Sequence, residues 1–332
     1  MIRTVVVPLD GSHATEFILP FAAAAARPFG ARLHLFHVLE CGGDQGVDAV
    51  EWAFRRSRAA AYLASQADKL QEDGMEATWE LGEGRAATEI LKLEMRVEAD
   101  LVVLGTHGRG GPTEFAMGST SLQYLSRAPG SVLLVPTAGE QRHRLVGATG
   151  LRRMLVPLDG SRRSEWAVSL ARQLAGPGGA SLLLTHVAPV PELPHPDFPL
   201  APDELELQRR ITERNVRTIR TRVETLREEF AQPDLTVSGR VEEHLQPPVR
   251  LLEIIEEEEP DLVVVSAHGT GVNGTTAREP FGHVARFLLA NPSRPTLSLQ
   301  DCTSSRPKYL RVGTDHSVLP ERASGDSSVH AR

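Results

Sequence analysis

The chain repeats itself once, and that repeat governs what it can fold into. Residues 6–12 read Val-Val-Pro-Leu-Asp-Gly-Ser and residues 155–161 read Leu-Val-Pro-Leu-Asp-Gly-Ser, 149 positions further on. His37-Val38 returns as His186-Val187 at the same offset, and Ala-Asp-Leu-Val-Val-Leu at 99–104 returns as Pro-Asp-Leu-Val-Val-Val at 260–265. A short period would imply a solenoid, whereas one period of domain size implies that a folding unit was duplicated and fused. A chain of 332 residues is long enough for two such units, each burying its own core.

Within the first copy, short apolar or β-branched runs at Thr4 to Leu9, Ala31 to Leu39, Ala77 to Leu81, Leu101 to Gly105 and Ser131 to Val135 are strand candidates. Between them, stretches at about 13–27, 47–73, 85–97 and 119–127 place apolar residues at three-and-four spacing and predict helices. The second copy repeats the order, with its longest helix near 203–231 after a Pro-rich loop at 189–202. Strands alternating with helices indicate a parallel sheet covered on both faces. The acidic run Glu256 to Glu259 reads as a solvated helix end, and the Arg-rich stretch from Arg209 to Arg222, interleaved with Glu213, as a solvated helix face. The division expected is a first unit at 1–138, a polar linker at 139–150, a second unit at 151–302, and a disordered tail at 303–332 where periodicity stops.

The segment with chemistry in it runs from Gly105-Thr-His-Gly108-Arg109 to Gly118-Ser119-Thr120. It follows a buried strand and precedes a helix, so its amides and that helix's N-terminus can face an anion at the end of the sheet. Glycine suits such a loop because a backbone that touches phosphate has no room for a Cβ, and some positions need positive φ. Ser119 adds a hydroxyl for a phosphate oxygen or a metal-bound water. Asp10-Gly11-Ser12 taken alone also fits a turn with a helix N-cap.

The spacing Gly105, two residues, Gly108, nine residues, Gly118-Ser119 resembles that of the universal stress proteins that bind ATP, and every position of it is filled. The resemblance implies two tandem adenine-nucleotide alpha hydrolase-like (Rossmann-like) α/β domains, each an open five-stranded parallel sheet of order 3-2-1-4-5. That order puts Asp10 and Gly105 at the switch point where such a sheet holds its ligand. Carried over residue by residue, the resemblance implies an ATP contact set of Pro8, Leu9, Asp10, Val38, Gly105, His107, Gly108, Arg109, Gly118, Ser119 and Thr120. Mg²⁺ or Mn²⁺ is the candidate counter-ion, through Ser119. His37 and His107 sit at strand ends with no third ligand in view, which argues against a protein-built metal site.

The second copy departs where it matters: Ser266-Ala-His-Gly269 is followed by twelve residues and Gly282-His283, with Glu279 inside the longer loop. Asp159 and Val187 persist, so Asp159, Val187, Gly269 and Gly282 outline a weaker second site, while the favoured reading makes this copy a structural partner without ATP.

Other classes are excluded or held open. The net charge of −7 does not suit a general nucleic-acid binder, and no run approaches the roughly 18 apolar residues of a membrane span. Cys41 and Cys302 lie in opposite halves without metal-type spacing, so a reduced cytoplasmic setting is expected. Lysine occurs only at positions 69, 92 and 308, none in a Walker A context, and the first turn is not Gly-x-Gly-x-x-Gly. The leading expectation is therefore a stress-response or regulatory nucleotide-binding protein, not an enzyme, whose two copies form an intramolecular pseudo-dimer and whose chains pair as a homodimer. The alternatives are a nucleotide-independent scaffold or adapter and a slow ATPase.

Overall fold

Each half builds five strands, and the fourth of each, Leu101–Gly105 and Leu262–Ser266, is buried at every position and almost wholly apolar, as a strand covered on both faces must be. In a computed structural model the residues described are 2–40, 48–109, 117–138, 151–176, 179–191, 201–269 and 280–300. The linker expected at 139–150, the tail at 303–332, residues 110–116 of the first glycine loop, Glu279 and both cysteines lie outside them.

The first half runs β1 (Thr4–Pro8), α1 (His13–Glu16), α2 (Leu19–Ala26), β2 (Arg32–Leu39), α3 (Ala49–Glu72), β3 (Ala77–Glu83), α4 (Ala86–Arg96), β4 (Leu101–Gly105), α5 (Ser119–Leu125) and β5 (Ser131–Val135). The second runs β6 (Arg153–Pro157), α6 (Arg162–Leu174), β7 (Ala180–Pro189), α7 (Pro202–Phe230), β8 (Leu235–His244), α8 (Pro247–Glu258), β9 (Leu262–Ser266), α9 (His283–Ala290) and β10 (Thr296–Leu299). The single helix expected at 13–27 is two. Pro20 sits in the first turn of α2, the one place where its missing N–H costs nothing, so a new helix starts there.

The strand order is β3-β2-β1-β4-β5-β10-β9-β6-β7-β8. Each half has the 3-2-1-4-5 order, with parallel pairing throughout. The expected pair of five-stranded sheets is in fact one sheet of ten strands, because β5 and β10 pair antiparallel. The join is self-complementary. Leu133 faces Leu297, its own counterpart in the repeat, and Leu134 and Val132 face Thr296 and Ser298, the counterparts of Val132 and Leu134. An isologous interface has this pattern, residue i against j and j against i.

Two cores follow, one per face, and each runs through both halves. Helices α2, α3, α6 and α7 cover one face over Val5, Val7, Leu33, Leu133, Val264 and Leu297. Helices α4, α5, α8 and α9 cover the other over Val6, Val102, Leu134, Val263 and Val265. Asp100 accepts from the amides of Arg3 and Thr4 where β1 begins, and Asp261 does the same for Arg152 and Arg153 at β6. This accounts for the Asp that recurs just before β4 and β9.

The acidic run is exposed at the end of α8, as expected. Glu257 and Glu258 pair with Arg240, and Glu259 pairs with Arg294, which is buried. The Arg-rich stretch of α7 is exposed as expected, with Arg209 paired to Glu206 and Glu213. Among the described residues no helix is long and apolar enough to cross a membrane.

Candidate functional site

The site begins at the carboxyl end of β1, where Asp10 is held by its own turn. Its Oδ1 accepts from the Ser12 amide at 2.9 Å and the Thr15 hydroxyl at 2.8 Å, and its Oδ2 accepts from the Arg109 amide at 2.5 Å. Burial raises the carboxyl's pKa, but these hydrogen bonds outweigh it and hold Asp10 below the ordinary value. Ser12 is also the N-cap of α1, accepting from the Thr15 amide, so the capping reading of this turn is correct as well. Gly11 has φ +77°, a left-handed conformation that favours glycine.

Asp10 thereby ties the turn after β1 to the loop after β4. The glycines of that loop serve the tie: a Cβ at residue 108 would stand 2.1 Å from Asp10 Oδ2, and one at residue 105 would stand 2.8 Å from Thr137 Cγ2. Neither Gly105, Gly108 nor Gly118 has positive φ. The glycines at 105 and 108 thus make room for protein side chains, and the positive φ expected at some positions of the loop is adopted by none of these three. Thr137 completes the support, accepting from the His107 amide and donating to the His107 carbonyl, both at 2.8 Å.

At the end of β2 the main chain is open. The Leu9 amide donates to Phe36 O, and the Gly84 amide donates to Leu39 O. Peptide groups alternate sides along a strand. Those of Val38 therefore point, like those of Phe36, toward β1, which has already ended at Pro8. His37 Nδ1 donates to Leu9 O at 2.7 Å, and its pKa is lowered by burial, partly offset by that bond, so the ring is neutral at pH 7.

These elements enclose a cleft of about 400 Å³, within the roughly 300–1,000 Å³ usual for small-molecule sites. Every contact residue expected in the first half lines it: Pro8, Leu9, Asp10, Val38, Gly105, His107, Gly108, Arg109, Gly118, Ser119 and Thr120. The α5 N-terminus contributes Ser119, Thr120 and Ser121, the last donating to Gly105 O at 2.7 Å. The cleft carries two cations, Arg55 and Arg109, and two carboxylates already in use: Asp10, and Glu40, which accepts from the Ala86 amide at the start of α4. Arg109 donates from its guanidinium to Asp10 O at 2.7 Å.

The sequence profile of the universal stress protein family matches residues 1–136 and again 150–298. The chain belongs to that family. A universal stress protein of Mycolicibacterium smegmatis is 29% identical over 290 residues, covering 80% of this chain and 87% of its own. One of Thermus aquaticus is 34% identical over 141 residues, covering 41% of this chain and 99% of its own. Among solved structures, a universal stress protein of Archaeoglobus fulgidus superposes with a TM-score of 0.61 at 17% identity over 90% of this chain and 98% of that one, a likeness of fold.

The second universal stress domain has its own cleft, of about 1020 Å³, lined by Asp159, Val187, Gly269 and Gly282 among others. A Cβ at residue 269 would stand 2.1 Å from Asp159 Oδ2, the same close approach as at residue 108. His186 Nδ1 meets Leu158 O at 2.7 Å, as His37 meets Leu9.

Sequence reasoning missed Thr15, Thr137, Glu40 and Arg55. Thr15 carried a usable signal, since its counterpart at the 149-residue offset is Ser164, also a hydroxyl placed against the Asp turn. The others are brought in by tertiary packing. Among the described residues no three His, Cys, Asp or Glu side chains are grouped to hold a metal.

Proposed function

We propose that the first domain binds an adenine nucleotide, ATP, and that the protein acts as a nucleotide-binding regulatory module of the stress-response class. The observation that carries this reading is the single cleft in which an open main-chain edge at Val38, the hydroxyls of Ser119 and Thr120 and two arginines stand around the Asp10 tie. The open peptide of Val38 suits the edge of a purine, and the amides and hydroxyls at α5 suit phosphate. A divalent ion would arrive with the phosphates, with Ser119 as its nearest protein oxygen.

Binding, not turnover, is the function this cleft supports. The Asp10 carboxylate is committed to Ser12, Thr15 and Arg109, so it is not poised to take a proton from an attacking water. In this reading the self-complementary β5–β10 join makes the two domains an intramolecular pseudo-dimer, and a homodimer of chains in the cytoplasm is the expected state. Nucleotide occupancy would act by favouring one assembly state, which requires unequal affinity for the two.

Calorimetric titration of the full chain with MgATP tests the proposal, with Asp10→Ala as control and circular dichroism to confirm folding. One site per chain, lost in the variant, supports it. Two equivalent sites would overturn the assignment to the first domain, and no binding by folded, nucleotide-free protein would turn the reading to a scaffold.

A further inference from the structure

The long helix beside each cleft supplies an arginine, and the two arginines are in different states. Among the described residues α3 lines the first cleft with Arg55 alone, and that guanidinium is engaged: it donates to Glu40 O at 3.3 Å and lies over the Trp52 ring, 5.5 Å from the centroid. In the second domain α7 lines the cleft with Ile211, Arg214, Asn215, Thr218 and Ile219, one face of the helix at three-and-four spacing. Arg209, Arg222 and Arg227 on the same helix each hold a carboxylate, whereas Arg214 pairs with none among the described residues. The Thr218 hydroxyl is spent on Arg214 O within the helix, at 2.9 Å. Arg214 and Asn215 are therefore the donors that this wall offers, set between two isoleucines.

The other polar groups of the cleft are spoken for or belong to a different end. Asp159 is satisfied by its own turn, accepting from the Ser161 amide at 3.0 Å and the Ser161 hydroxyl at 2.6 Å. His186 donates to Leu158 O, and burial lowers its pKa, so it is neutral at pH 7. The anion end of the first cleft is not repeated. After the helix-starting glycine, Ser119-Thr120-Ser121 gives way to His283-Val284-Ala285, and Arg109 after Gly108 gives way to Thr270 after Gly269. Arg214 is the only Lys or Arg among the described lining residues, against two in the first cleft. A triphosphate would bring several negative charges to one permanent cation. Pro247, Pro248 and Leu251 of α8 and Val284 of α9 add apolar surface to that of Ile211 and Ile219.

We infer that the second cleft binds an amphipathic monocarboxylate, its carboxylate held by Arg214 and Asn215 of α7 and its apolar body lying against Ile211, Ile219, Leu251 and Val284. One planar carboxylate matches one guanidinium, which meets it with two parallel N–H donors. An exposed pair of this kind contributes little by itself in water, so the apolar body has to supply much of the affinity. The space of about 1020 Å³, against about 400 Å³ in the first domain, takes a body of fatty-acyl or fused-ring size. Asp159 holds the floor and makes no contact with the ligand. This inference does not depend on ATP binding in the first cleft.

The test titrates cis-parinaric acid, a fluorescent monocarboxylate with an unbranched apolar chain, into the full chain below its micellar concentration. Its uncharged methyl ester is titrated in parallel. The expected result is one saturable site per chain for the acid, unchanged by saturating MgATP, with the ester about tenfold weaker. Arg214→Gln is expected to weaken the acid about tenfold and leave the ester as it was. Ile219→Gln, at a half-buried position, should weaken both, and Arg220→Gln, at an exposed position of α7 outside the lining, should change neither. Circular dichroism checks the fold of each variant. Absence of saturable binding, equal affinity for acid and ester, or acid binding indifferent to Arg214→Gln would each overturn the inference. Displacement of the acid by MgATP would do the same, by making the cleft a nucleotide site.

Discussion

Glu94 and Tyr124 meet in a 2.7 Å hydrogen bond inside the first domain, and the corresponding places in the second domain are taken by Ile255 and Leu288. The exchange is concerted. Gly130, where a Cβ would stand 2.4 Å from Glu94 Oε1, has Arg294 as its counterpart. A buried polar pair replaced as a pair leaves no orphan, whereas losing one partner would.

Glu94 is 4% exposed, and burial pushes its carboxyl up to about 7, against hydrogen bonds from Tyr124 and the Gly130 amide. In the unfolded chain it titrates near 4.5. Between those values the folded protein holds a proton that the unfolded chain has released, so stability falls as pH rises through that window. The full penalty above pH 7 is on the order of 3 kcal/mol. Glu94→Gln keeps the shape and cannot ionise. Urea unfolding from pH 5 to pH 8 should show wild-type stability declining and the variant nearly flat, with the variant the more stable at pH 8. Equal slopes would place the titrating group elsewhere.

Gly108→Ala tests the tie between the two loops. Its Cβ would stand 2.1 Å from Asp10 Oδ2, so the loop must move away and the Arg109 amide must leave the carboxylate. ATP affinity should fall on the order of tenfold, about 1.4 kcal/mol. Gly269→Ala makes the same collision with Asp159 in the other domain and should leave ATP affinity unchanged. Calorimetry on both variants separates a local effect on the first cleft from a general loss of structure.

Much of this architecture could be read from the repeat, and the reasons for the exceptions are physical. The strands β4 and β5 coincide with their expected limits because a strand buried on both faces is an unbroken apolar run with few alternatives. The 3-2-1-4-5 order came only through the resemblance. The β5–β10 join was not legible, since the pairing of two strands far apart in the chain is a non-local choice. The glycine loop was found by spacing, but one reason for its glycines was not: Gly108 makes room for Asp10, ninety-eight positions away in the chain, and no local rule records that. Glu94 was hidden for a related reason. On α4 it sits among Ile90, Leu93 and Lys92, and only the fold turns it inward to Tyr124.

The join makes its own prediction. Leu133 and Leu297 face one another across it, and both are fully buried. Either Leu→Ala change should cost roughly 2–5 kcal/mol. Because both cores cross the join, scanning calorimetry should give one transition for the wild type, and each variant should lower that transition as a whole. Two transitions, with each variant lowering only one, would mean that the domains unfold independently and the sheet is not a cooperative unit.

In the proposed ATP site, Arg109 is the residue expected to separate recognition of phosphate from recognition of the nucleoside. Its guanidinium donates to the Asp10 carbonyl, an uncharged acceptor, and lines the first cleft, so its charge is not neutralised by that bond and can act on an anion bound there. Removing it should matter to ATP and hardly at all to adenosine, which carries no charge. Arg109→Ala leaves the main-chain amide that holds Asp10 in place, so the floor of the site persists. The expected outcome is ATP binding weakened about tenfold, adenosine binding unchanged, and a shallower dependence of ATP affinity on ionic strength because one screened attraction is gone. Equal weakening for both ligands would instead assign the guanidinium to holding the cleft's shape, and the phosphates would then have to be met by the α5 N-terminus and Arg55.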